Sequence, residues 1–229
     1  MKRNFVVAMT GASGCVYALR LIDVLTSAGC DVHLTISSAC VLVMRQELNL
    51  SVDLVGFQPS MLMLGDPGSD IKLQQVRSLA GISSEESSVL SVGVGEMGVV
   101  HYHHFQDLNA PIASGSFLTE GMVVCPCSMG TLSAVVHGAS TNLIHRAAEV
   151  HLKERRRLIL VPRETPLSVI QLENMTRAAQ AGVTILPAMP GFYHGVKGIQ
   201  DLVDFVVARI SDHLQVQHSL IRRWSGSDG

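Results

Sequence analysis

Aromatic side chains are scarce in this 229-residue chain: six Phe, three Tyr and one Trp. None is interleaved with basic residues in the pattern that stacks single-stranded bases, so nucleic acid is not expected as a partner. Charge is scarce as well. Asp, Glu, Lys and Arg make up 16% of the residues, and 17 basic against 19 acidic groups leave a net charge of −2, too balanced for a chain that wraps a polyanion. No CxxC pair occurs among Cys15, Cys30, Cys40, Cys125 and Cys127. Their odd count and irregular spacing exclude a disulfide framework or a zinc knuckle and fit a reducing, cytoplasmic setting. Long apolar runs are missing too. Met1-Lys2-Arg3 followed by Phe5 to Ala8 imitates a signal peptide, but the run ends at Thr10-Gly11 before an export segment can form. Nowhere do about 18 apolar residues run together, as a membrane-spanning helix requires.

Aliphatic side chains dominate instead. With 47% hydrophobic residues and a mean hydropathy of +0.32, the chain is too apolar for disorder. At this length it can bury roughly 70% of its unfolded surface around one core. Such apolarity with so few charges points to burial within an oligomer. We expect a single domain over residues 1–215, with an irregular insertion near 51–106 and a polar tail over 216–229.

The periodicity predicts alternating strands and helices. Asn4 to Thr10 reads as a strand, Gly11-Ala12-Ser13-Gly14 as a tight loop, and Val16, Leu19, Ile22, Val24 and Leu25 as one helix face. Val32 to Ile36 repeats the strand signal, and Ser37-Ser38 can cap a helix carrying Val41, Val43, Met44 and Leu48. The stretch from about Ser51 to Gln106 loses the rhythm and is expected to be only partly strand. It resumes with a strand at Met122 to Cys125, a helix from Ser128 onward, a strand at Leu158 to Val161, a helix from Pro166 to Ala181 and a strand at Val183 to Leu186. Leu202, Val203, Val206, Ile210 and Leu214 mark a closing helix. Strands buried on both faces and alternating with helices imply a parallel sheet in an α/β sandwich, whose ligands sit at the carboxyl ends of the strands.

Candidate chemistry gathers at those ends. Gly11, Ser13 and Gly14 occupy the first strand-to-helix turn, where free backbone N–H groups favour a phosphate; an ordinary tight turn explains the same residues. Cys127-Ser128-Met129-Gly130-Thr131 repeats the geometry with hydroxyl groups, so the two turns together can hold a phosphorylated planar cofactor or can simply be two capped helices. Arg163-Glu164 follows an apolar strand directly, either as phosphate clamp and proton donor or as a structural ion pair. Arg155 to Arg157 at a helix end read as a solvated, dipole-compensating run. His101 and His103 share a strand face, but no carboxylate accompanies them and no metal is expected. Cys125 and Cys127 read as packing residues. Phe192, Tyr193 and His194 bring an aromatic wall to the same edge, although a turn with a packed Phe explains Phe192 equally well.

Six segments, taken in order, resemble the flavin prenyltransferases, a family long labelled aromatic-acid decarboxylases. They are Met9 to Gly14, Ala113 to Ser116, Cys125 to Ser128, Leu152 to Arg156, Val161 to Pro166 and Gly191 to His194, and the likeness spans about residues 4–49 and 111–215. The resemblance implies a flavodoxin-like, Rossmann-like three-layer sandwich that binds FMN, assembled as a dodecamer with active sites between subunits. By position, Gly11, Ala12, Ser13, Ser37, Ser128, Met129, Gly130, Thr131 and Arg163 contact FMN. Arg146, Lys153, Glu164, Tyr193 and Arg209 surround the phosphate of dimethylallyl monophosphate. The implied activity joins the prenyl group to N5 and C6 of reduced FMN without a metal. Ser13, Lys153 and Glu164 are catalytic, and the prenylated FMN goes to a UbiD-type decarboxylase. Leu108 stands where some members carry a Trp beside the prenyl pocket. The competing expectations are a non-catalytic FMN carrier and a cysteine-type flavin decarboxylase.

Overall fold

The computed structural model describes residues 2–58, 62 and 96–221. Its elements run β1 (Asn4–Met9), α1 (Cys15–Ser27), β2 (Asp31–Ile36), α2 (Ser38–Leu48), β3 (Val100–Tyr102), β4 (Gly121–Cys127), α3 (Met129–Val136), α4 (Leu143–Lys153), β5 (Arg157–Pro162), α5 (Val169–Gln180), β6 (Thr184–Ile185) and α6 (Ile199–Leu214). All strand pairs are parallel, in the order β3-β2-β1-β4-β5-β6. Without β3 the remaining five follow the flavodoxin-like order, and β3 adds one short strand at the edge beside β2.

Strand alternation divides the core into two layers. Phe5, Val7 and Met9 face α1, α2 and α6, where Leu21, Leu25, Met44, Val207 and Ile210 are buried. Val6 and Ala8 face the opposite side, built on Leu132, Ile144, Ala147 and Ala178 from α3, α4 and α5. Both faces of the central strands are closed, which gives three layers.

The expected helix from Ser128 is two helices. α3 ends at Val136, Gly138 follows with a φ of 67°, and Asn142 then caps α4 by accepting from the His145 N–H at 3.0 Å. The predicted Pro166 start of the next helix is also displaced. Ser168 caps α5 and Gln171 returns a bond to the Ser168 N–H, a reciprocal capping box that starts the helix at Val169. Most of the expected insertion, 59–61 and 63–95, lies outside the described residues, as do residues 222–229 of the tail. The start of that tail is packed: Val216 is buried, and His218 meets Asp212 at 3.1 Å.

Candidate functional site at the carboxyl edge of the sheet

Because every strand is parallel, Thr10, Ser37, Ser128 and Arg163 all emerge on one edge. β1 lies between β2 and β4, so the connections leaving the sheet diverge on either side of it and open a crevice there. Thr10 laces the two walls together. Its hydroxyl donates to the Pro126 carbonyl at 2.8 Å and accepts from the Ser128 N–H at 2.8 Å. A cavity of about 320 Å³ at this edge is lined by Ser13, Tyr17, Glu47, Arg163, Ala188 and Ile199.

The first turn differs from the phosphate cradle expected of it. The Gly14 N–H donates to both carboxylate oxygens of Glu47, at 2.9 and 3.0 Å, and the Cys15 N–H donates to one of them at 3.0 Å. An anion built into the protein already fills the amino end of α1, so these amides are not free for a ligand phosphate. The glycines have separate reasons to be there. Gly14 has a φ of 107°, accessible to glycine at little cost, and a Cβ at Gly11 would lie 2.6 Å from that of Ala39. Glu47 was not singled out in the sequence, although one signal was available: an acid in the last turn of α2 opposes the helix dipole, and such local conflicts gather at functional sites.

The starts of α2 and α3 could still hold a cofactor. Ser37 accepts from the Cys40 N–H at 3.2 Å. Ser128 accepts from the Thr131 N–H at 3.3 Å and donates to the Thr131 hydroxyl at 3.0 Å. Above the first turn of α3, a Cβ at Gly130 would meet no atom within 4 Å. Hydroxyls, a helix amino end and open space next to it fit a phosphorylated cofactor such as FMN.

Arg163 and Glu164 stand together after β5, yet among the described residues neither joins an ion pair. A Glu164 carboxylate oxygen accepts from the Thr165 N–H at 3.1 Å. The structural ion-pair reading of this dipeptide is therefore removed. Tyr193 is 73% exposed and meets the Phe205 ring edge-on at 5.7 Å. Arg209 lies one turn beyond Phe205 on the same face of α6, held by Asp212 at 2.8 Å.

Lys153 and Arg146 lie elsewhere. α4 leads down to the start of β5, which spans roughly 16 Å before it reaches Pro162. Lys153, four residues before β5, is thus at the amino edge of the sheet, and Glu164 is at the carboxyl edge. Arg146, two turns before Lys153, donates to the Ala113 carbonyl at 3.0 Å and pairs with Glu149 at 3.1 Å. A single chain does not bring the expected phosphate-binding set into one place.

The other candidates take structural roles. Cys125 and Cys127 are fully buried, and that burial pushes their thiols well above the usual range, which denies them a nucleophilic thiolate. His103 pairs with His33 at 3.0 Å, and His101 stacks on His33 with ring centroids 5.0 Å apart; among the described residues no group of three or more metal-ligating side chains is arranged to hold an ion. Arg156 is not part of a solvated run. Its guanidinium donates to the carbonyls of Gly115 and Phe117. Leu108 is 53% exposed. No helix among the described residues is long and apolar enough to cross a membrane.

Comparison with known proteins gives the same setting. The family model described as Flavoprotein matches residues 1–211. The flavin prenyltransferase UbiX of Halalkalibacterium halodurans is 44% identical over 223 residues, covering 97% of this chain and 94% of its own. Among solved structures, AnUbiX (PadA1) in complex with FMN and dimethylallyl pyrophosphate superposes with a TM-score of 0.76 at 34% identity, over 100% of both chains. A dodecameric FMN-dependent UbiX-like decarboxylase from Escherichia coli O157:H7 follows at 0.74 and 32%, covering 97% of this chain and 100% of that one.

Proposed function

The chain belongs to the flavin prenyltransferases of the flavoprotein family, and from that membership we propose that it transfers a dimethylallyl group from dimethylallyl monophosphate to N5 and C6 of reduced FMN. The observation that carries the reading is the pairing of two hydroxyl-bearing helix starts at the switch point with an Arg163-Glu164 dipeptide that, among the described residues, spends neither charge on an ion pair. Ser37 and Ser128 to Thr131 receive the FMN phosphate, because Glu47 already occupies the amino end of α1. Gly11, Ala12, Ser13 and Arg163 line the remainder of the flavin site, with Ser13 as the hydrogen-bonding group toward N5.

When bound and reduced, FMN supplies the nucleophile. The protein's task is to free the allyl group from its ester. An allylic monophosphate leaves poorly unless its oxygens gain positive charge and a proton. Arg146, Lys153 and Arg209 supply the charge, Tyr193 a hydroxyl, and Glu164 the proton. Since α4 carries Arg146 and Lys153 away from Glu164, we assign these two residues to the site of a neighbouring copy within a homo-oligomer, a dodecamer on our reading. The product passes to a UbiD-type decarboxylase.

Anaerobic incubation with reduced FMN and either dimethylallyl monophosphate or the pyrophosphate tests the assignment. A flavin heavier by one five-carbon prenyl unit is expected with the monophosphate; unchanged flavin with both donors would overturn it. Glu164→Gln is expected to lower prenylation by about 10²-fold or more while fluorescence titration still shows FMN binding. A non-catalytic carrier would be indifferent to the substitution.

A further inference from the structure

The segment from Ala113 to Phe117 runs along α4 with alternate carbonyls gripped by guanidinium groups. Ala113 accepts from Arg146 at 3.0 Å, Gly115 accepts from Arg156, and Phe117 accepts from Arg156 at 2.7 Å. Between these anchors the exposed Ser114 and Ser116 hydroxyls lie 2.9 Å apart. Directly beneath is the Lys153–Glu154 ion pair, so close that a Cβ at Gly115 would collide with the Glu154 carboxylate.

Arg156 reaches the segment because the chain turns sharply after α4. Arg155 takes a φ of 56°, and the Arg156 N–H returns to the His151 carbonyl at 2.8 Å. Two further ties hold the far end of the segment: Thr119 bonds the buried His151 at 2.8 Å, and Phe117 meets His33 edge-on at 4.9 Å. Arg156 therefore spends two of its donors on the height of a five-residue strip above Lys153 rather than on solvent.

We infer that Arg156 is a positioning residue for the prenyl phosphate: by holding the Gly115 and Phe117 carbonyls it seats the Ser114–Ser116 strip on Lys153, so that the ammonium group and the two hydroxyls meet the ester phosphate as one surface. The inference rests on the prenyltransferase reading above. Arg156 does not touch the reacting atoms. Its planar fork satisfies two carbonyls two residues apart, which one ammonium group cannot do in the same geometry.

The test uses the full-length oligomer with Arg156→Gln, Arg156→Lys and, as a variant that leaves the guanidinium intact, Gly115→Ala. FMN affinity is read by flavin fluorescence, KM and kcat by steady-state kinetics with dimethylallyl monophosphate, and amide exchange of residues 113–117 by mass spectrometry. For Arg156→Gln we expect KM to rise at least tenfold, FMN affinity to stay within twofold and exchange across the strip to accelerate. Arg156→Lys recovers little of the KM, and Gly115→Ala reproduces the KM rise by lifting the strip. Faster exchange with unchanged KM, or FMN affinity lost in step with turnover, would overturn the inference. Wild-type protein that fails to prenylate FMN would instead overturn the functional reading, which separates the two failures.

Discussion

His33 and His151 show what burial costs a side chain at this scale. Burial, reinforced by the neighbouring His103 and His101, pushes the His33 imidazole down to about 4. Burial is the leading cause for His151, with the Arg156 charge adding to it, and it too is held near 4. An unfolded imidazole takes up its proton near 6.5, whereas these folded ones do so only near 4. The unfolded state thus binds more protons across that window, and stability is lost as the pH falls from about 6.5 to about 4. Melting temperature should decline over that range, and His33→Gln, which keeps a hydrogen-bonding group without titrating, should flatten the decline. Parallel melting curves for wild type and variant would contradict this account. Glu47 belongs to the same scale. Its bonds to the Gly14 and Cys15 amides span 33 and 32 positions respectively, and no local spacing announces such a contact.

At the scale of elements, helix starts carry most of the site, and two serines separate capping from binding. Ser128 caps α3 and Ser168 caps α5, but only Ser128 belongs to the set proposed to hold the flavin. Replacing either by Ala should cost about 1 kcal/mol of stability, measured by urea unfolding. Only Ser128→Ala should also weaken FMN binding, by roughly tenfold for one lost hydrogen bond. Equal FMN affinity in both variants would remove Ser128 from the flavin site. The early elements β1, α1, β2 and α2 were legible because a strand buried on both faces is uninterrupted in sequence and a helix beside it repeats every third or fourth residue. The break between α3 and α4 was not. It turns on Gly138 adopting positive φ and Asn142 capping a new helix, and neither residue disturbs the apolar pattern of Leu132, Val135, Leu143 and Ala147.

For the whole molecule, the separation of Lys153 from Glu164 makes a prediction about assembly. If two copies build each site, Lys153→Ala and Glu164→Gln oligomers should each be inactive, while oligomers refolded from an equimolar mixture regain activity. The ceiling is about a quarter of wild type, the chance that both halves of an interface are intact. Mixed oligomers as inactive as their parents would place both residues within one subunit's site. The sheet accounts for that separation within one chain: a right-handed crossover must return to the amino edge before its next parallel strand, so the end of α4 cannot stay beside the end of β5.

The amino-acid order by itself determined the layers, the strand-to-helix turns and the residue types at the carboxyl edge, because burial and helix capping act over a few neighbouring positions. It also carried the family resemblance, since the motif-bearing turns are contiguous. Only the tertiary structure decided that Glu47 fills the first anion site, that Arg156 holds a backbone strip instead of facing solvent, and that the cations of α4 lie away from Glu164. Each of these depends on where separate elements meet, and that follows from sheet order and crossover direction rather than from any local period.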